Sequence, residues 1–253
     1  MSPVAFHVWG RPIYWYGICA ALAFLAVTTH WSRRAARAGR SPALVSALTW
    51  CALLGGIAGA RIAYVIANWA DFSARPMTIA RIDQGGLIFY GGLIGGTLAI
   101  AALALARRES PWALGDFAVE GLPLGHALGR LGCFLNGCCG GVASAVCGVC
   151  APTLHEPPRV PVQLYEAGAN LLIYGALIRY ASRRPPPGGV LAYYLLLYAP
   201  VRFGLEFLRG DPRLRWNALS VAQWISLVLF LSGAALWAWS RRTSPAAAPD
   251  AAV

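Results

Sequence analysis

At 253 residues, 58% hydrophobic and only 12% charged, with mean hydropathy +0.55, the chain carries more apolar surface than a soluble fold of its size can bury. Uninterrupted runs of about 18 or more apolar residues are the signature of membrane-spanning helices and exclude an ordinary soluble domain. The net charge of +11 comes from arginines in short clusters beside those runs, without the interleaved aromatics of a nucleic-acid surface, so nucleic acid is excluded as a partner.

Seven spans can be placed in chain order, at 13–31, 43–67, 87–106, 112–135, 162–180, 189–208 and 219–239. At 1.5 Å rise per residue each covers about 30 Å of hydrocarbon. No basic n-region followed by a small-residue cleavage site precedes the first run, which therefore reads as a helix and not a signal peptide. The fourth span contains Asp116, Glu120, His126 and Arg130, which marks it as broken or only partly embedded. Glycines four apart, such as Gly55 and Gly59 or Gly92 and Gly96, let helix backbones approach closely.

Arginine clusters after the first, third, fifth and seventh spans place one face in the cytoplasm. The chain thus reads as an all-α polytopic membrane protein of about seven transmembrane helices, N-terminus periplasmic and C-terminus cytoplasmic. Residues 1–242 form one domain with outer loops 68–86, 137–161 and 209–217, and 243–253 is predicted to be a disordered tail.

Charge within or near the ends of these spans needs a reason, since a charge at a helix centre costs about 2.5–3.5 kcal/mol even on lenient insertion scales. Arg61, Arg130, Glu166, Arg202 and Glu206 are so placed. Arg202, Glu206 and Arg209 share one helical face at i, i+4 and i+7, and His126 and Arg130 are four apart. Two readings stand: ion pairs that lock the bundle, or a cationic pocket for an anionic head group. Arginine favours the second, because its planar fork grips phosphate oxygens bidentately and keeps its charge.

Six segments occur in a fixed order: YWYG (14–17), GARIAYV (59–65), FYGGLIGG (89–96), GRLGCFLNG (129–137), RVPVQLYE (159–166) and YAPVRFGLEFLRGD (198–211). This set resembles the prolipoprotein diacylglyceryl transferases of bacterial inner membranes, and the resemblance runs from about residue 12 to 240. It implies transfer of a diacylglyceryl group from phosphatidylglycerol to the lipobox cysteine thiol of a prolipoprotein signal peptide, in the inner-membrane bilayer, with glycerol phosphate leaving. No cofactor or metal is implied. It also implies that Arg130 and Arg202 grip the lipid phosphate, where cations must stabilise the charge of the departing group. Tyr16 and Tyr198 are placed near the head group by the same resemblance, and Glu206 and Arg209 as an ion pair that orients Arg202. Arg61, Gly91, Gly92, Asn136, Gly137, Tyr165 and Glu166 complete the expected substrate contacts.

Two departures from that pattern bear on mechanism. Tyr90 stands where many members have histidine, and a tyrosine titrating near 10 is a poorer base at neutrality than an imidazole near 6.5. Tyr90 is therefore expected to orient thiol or lipid by a hydrogen bond while another group or water takes the proton. Cys133 stands where asparagine is common, and Cys138 where an acid is. A divergent paralogue with altered donor, altered acceptor or no catalysis is the alternative these changes raise.

Five cysteines fall within eighteen residues, whereas Cys19 and Cys51 read as core fillers. In an outer loop, disulfides form and persist. Cys138 or Cys139 is expected to bridge to Cys147 or Cys150, with Cys133 free; the rival is a zinc site of four thiolates, or of three with His155.

Overall fold

The structure is a computed structural model that describes residues 3–73, 75–82, 85–146, 148 and 158–243; Cys147, Cys150, His155 and the tail from 244 onward lie outside the described residues. It is dominated by helices: α1 (Trp15–Arg37), α2 (Pro42–Ala67), a short α3 (Trp69–Ser73), α4 (Phe89–Ala106), α5 (Pro111–Val119), α6 (Leu122–Leu135), α7 (Val162–Ala181), α8 (Gly189–Leu205) and α9 (Val221–Arg242). Two small hairpins accompany them, β1 (Val4–Val8) with β2 (Arg11–Tyr14), and β3 (Arg215–Trp216) with β4 (Leu219–Ser220).

Among the described residues four helical segments are long and apolar enough to cross a membrane: Pro42–Ala67, Phe89–Ala106, Gly189–Leu208 and Val221–Arg242. They coincide with the second, third, sixth and seventh predicted spans. Large apolar side chains on such helices point outward, with Leu98 64% and Leu231 67% exposed, a surface that only lipid makes favourable. Helices α1 and α7 occupy the first and fifth predicted spans. The fourth predicted span is broken, as its charges foretold: α5 ends at Val119, and α6 begins at Leu122 with Pro123 in its first turn, a position that needs no N–H.

Two compact units are distinguished, Trp31–Ala118 and Met1–His30 with Val119–Val253. In the Trp31–Ala118 unit, α2 starts at an N-cap, Ser41, whose hydroxyl accepts from the Leu44 N–H at 3.3 Å, with Pro42 following. Helices α2 and α4 run antiparallel and meet through glycines. A β-carbon added at Gly95 would lie 2.8 Å from the Gly59 Cα, and one at Gly59 would collide with the Gly91 carbonyl, so only glycine permits this approach. The register pairs Gly55 and Gly59 with Gly91 and Gly95, while Gly92 abuts Gly56 and Ala60.

In the other unit, α6, α7, α8 and α9 pack in succession. Val119, Ile173, Leu177, Ala181, Val190 and Tyr194 form a buried apolar cluster that holds α7 and α8 side by side. Helix α9 opens with a full capping box, Ser220 with Gln223.

Candidate active site

The last turn of α6 is built to stop and fold back. Asn136 caps it, and Gly137 takes φ +70°, the left-handed conformation that a β-carbon disfavours. The Gly137 N–H then bonds the Phe134 carbonyl at 3.0 Å and the Cys138 N–H bonds the Cys133 carbonyl at 3.1 Å, which together form a Schellman motif. Beyond the turn, the Gln163 amide donates to the Cys138 carbonyl at 2.7 Å. Residues 140–144 pair with the backbone of Pro158, Val160, Leu208 and Gly210. The segment after α6 is thereby fixed against α7 and the end of α8.

Glu166, in the second turn of α7 and 1% exposed, is the centre of the charged group. Arg130 grips it bidentately, Nε to Oε2 at 2.9 Å and NH2 to Oε1 at 3.0 Å, and His126 Nε2 lies 3.3 Å from Oε1. The i, i+4 spacing on α6 thus sets an imidazole and a guanidinium on one carboxylate. The His126 ring lies against Tyr198 of α8 at 5.5 Å, and Tyr198 stacks on Tyr194 at 5.4 Å. One turn after Tyr198, Arg202 NH1 pairs with Glu206 Oε2 at 2.8 Å.

The expected Glu206–Arg209 pair is not formed. Helix α8 ends at Leu205, and Arg209 has extended backbone (φ −78°, ψ 137°), so it leaves the helical face that an i+7 position would occupy. Arg209 instead forks onto Asp211, at 2.9 and 3.1 Å, and Arg213 joins the same carboxylate at 2.9 Å. Burial alone would raise the Asp211 pKa, but these guanidiniums hold it below the ordinary aspartate range. Each arginine of the 202–209 stretch therefore has its own carboxylate, and no positive excess arises from two arginines sharing Glu206. What stays uncommitted among the described residues is one edge of each phosphate-clamp candidate: on Arg130, NH1 has only a 4.0 Å contact with Cys133 Sγ; on Arg202, Nε and NH2 have no partner.

Tyr16 and Asn136, both expected substrate contacts, line one open pocket of about 410 Å³ with Pro12, Ile13, Tyr14 and Gly17. Tyr165 is half-exposed in the first turn of α7. In the Trp31–Ala118 unit, Tyr90 is exposed on the first turn of α4, edge-on to Phe89 at 5.8 Å. Three expected substrate contacts in that unit have other engagements. Gly91 and Gly92 face α2, as described. Arg61 donates to the carbonyls of Thr78 (2.8 Å), Ile79 (2.8 Å), Gly85 (2.9 Å) and Gly86 (3.1 Å), with Phe72 and Tyr64 rings beside it. It is a staple for the loop between α2 and α4.

Sequence reasoning left His126, Gln163, Asp211 and the buried Asn170 out of the site. His126 carried a signal, its i, i+4 spacing from Arg130; Asp211 had only its nearness to Arg209. Cys138 and Cys139 carry free thiols, as does Cys133.

A helical membrane protein with buried arginine–carboxylate pairs near a tyrosine-lined pocket defines a class, that of membrane enzymes acting on anionic lipids. The family model for prolipoprotein diacylglyceryl transferase matches residues 3–239, and the chain belongs to this family. It is 30% identical over 242 residues to phosphatidylglycerol–prolipoprotein diacylglyceryl transferase 2 of Clostridium perfringens, covering 94% of each chain. It is 34% identical to the phosphatidylglycerol–prolipoprotein diacylglyceryl transferase of Bordetella avium over 96% of each chain. The protein of the same name from Idiomarina loihiensis is also 34% identical, over 97% of this chain and 95% of its own.

Proposed function

We propose that this protein transfers the diacylglyceryl group of phosphatidylglycerol to the lipobox cysteine thiol of a prolipoprotein, in the bacterial inner membrane. The proposed topology has seven spans, a periplasmic N-terminus and a cytoplasmic C-terminus. The observation that carries this reading is the pair of buried arginines, each oriented by a carboxylate through one edge with another edge uncommitted. A phosphate accepts two N–H bonds from such an edge, and the counter-carboxylate removes the cost of holding the cation ready. In the reaction a carbon–sulfur bond forms at the glyceryl carbon as its carbon–oxygen bond to phosphate breaks. Glycerol phosphate leaves with the electron pair, and Arg130 and Arg202 stabilise the charge it gains. Tyr16 and Asn136 hold the head group from their pocket.

The thiol proton needs a base other than Tyr90. Within the described charged cluster that group is His126, whose Nε2 is held at Glu166. A paralogue with an altered donor or acceptor is the second reading, favoured by Tyr90 and Cys133. Rescue of a bacterium depleted of its own transferase tests the choice: growth supports the proposed activity, and failure by a correctly inserted protein favours the paralogue.

A further inference from the structure

We infer that Cys133, Cys138 and Cys139 form a binding site for one soft monovalent cation of the Cu(I) class. This inference does not rest on the transferase reading. The Sγ atoms of all three lie within 4.8 Å of one another. At a metal–sulfur length of about 2.3 Å, three sulfurs around one ion lie about 4 Å apart, so a small contraction suffices to close the site.

The cluster is built by the backbone. The Schellman turn at Gly137 returns Cys138 over Cys133, with the Cys138 Sγ 3.6 Å from the Cys133 carbonyl oxygen. Cys139 then adopts φ +63°, a left-handed conformation uncommon for a residue with a β-carbon. An ordinary turn would place asparagine or glycine there. Gln163 and the pairing of Gly140 with Gly210 hold the segment on both sides of this residue.

Charge supports the same reading. Arg130 NH1 lies 4.0 Å from the Cys133 sulfur, and Arg209 hydrogen-bonds Cys139. A site of three thiolates and one monovalent ion carries a formal charge of −2, and two guanidiniums stand beside it. Donor number decides the ion. Among the described residues the group holds three ligands, all thiolates, which suits trigonal Cu(I), whereas structural zinc requires four.

The test titrates Cu⁺, without oxygen, into the full-length reduced protein in detergent against a chromophoric Cu⁺ chelator. One equivalent should be withdrawn from the chelator. Cys133→Ser, Cys138→Ser and Cys139→Ser should each weaken binding by more than the roughly 10–100-fold that loss of an outer-shell partner causes. Cys19→Ser, Cys51→Ser and a Cys147→Ser/Cys150→Ser double variant should bind as the parent does, and bound Cu⁺ should protect three thiols from alkylation. No withdrawal from the chelator, or unchanged affinity in Cys133→Ser, overturns the site. So does loss of binding in the double variant, or a Cys138 or Cys139 disulfide found in the protein as purified from the membrane.

Discussion

Glu166→Gln isolates the contribution of the carboxylate under Arg130, because it keeps the side-chain volume and removes only the charge and one acceptor. Glu166 accepts two charge-assisted hydrogen bonds from Arg130, at 2.9 and 3.0 Å, at a site that is 1% exposed. A glutamine retains one of them at neutral strength and turns an N–H toward the guanidinium in place of the other. With charge-assisted bonds of about 1.5–3 kcal/mol and a neutral bond of about 1 kcal/mol, the loss is about 2–5 kcal/mol. That agrees with the roughly 3–5 kcal/mol for breaking a buried pair from one side. Even the lower figure is about a 30-fold change in the population of correctly held Arg130. A second effect opposes it in binding, since removing a negative charge makes the pocket more attractive to an anionic lipid. We therefore expect kcat to fall at least ~30-fold while KM for phosphatidylglycerol stays level or drops. The assay is initial-rate transfer to a lipobox peptide by purified enzyme, with melting in detergent recorded beside it. A variant that melts lower yet turns over like the parent refutes the positioning role.

Arg130→Lys and Arg202→Lys should each abolish transfer while leaving inserted protein in normal yield, because lysine keeps the charge and loses the fork; full activity in either removes that arginine from the clamp. His126→Gln should lower kcat and flatten the acid limb of the pH–rate profile, since the base must be unprotonated to act. A parallel profile at a lower rate assigns His126 to packing. Tyr90→Phe should lower the rate, and Tyr90→His should keep or raise it near neutral pH; equal rates for Tyr90→Phe and the parent mean that its hydroxyl does no chemistry. Arg61→Gln should lower the melting temperature by loosening the 78–86 loop while residual turnover per folded molecule holds, and a turnover loss without a stability loss returns Arg61 to the substrate site.

The apolar runs that became α2, α4, α8 and α9 were legible because each is uninterrupted and long. The break between α5 and α6 was legible because Asp116 and Glu120 cannot sit comfortably in lipid. The partners of the buried charges were only half legible. His126 and Arg130 share a face by local spacing, but their meeting with Glu166, 36 residues beyond Arg130, depends on how α6 packs on α7. The i+7 argument for Arg209 failed because it assumed a helix that ends at Leu205. The β1–β2 hairpin was unread, since its turn puts Trp9 at φ +48° before Gly10, without the asparagine or aspartate that usually signals a two-residue turn. The thiol cluster escaped for a similar reason: helical spacing does not bring residues 133, 138 and 139 together, whereas a left-handed turn does.

The most direct measurement incubates the purified protein with phosphatidylglycerol and a synthetic lipobox peptide, then follows peptide mass and released phosphate compound together. A peptide heavier by one diacylglyceryl group on its cysteine, with equimolar glycerol phosphate, in the parent and in neither Arg130→Lys nor Arg202→Lys, is the predicted result. An unmodified peptide with the folded parent, or equal modification by parent and both lysine variants, would contradict the account.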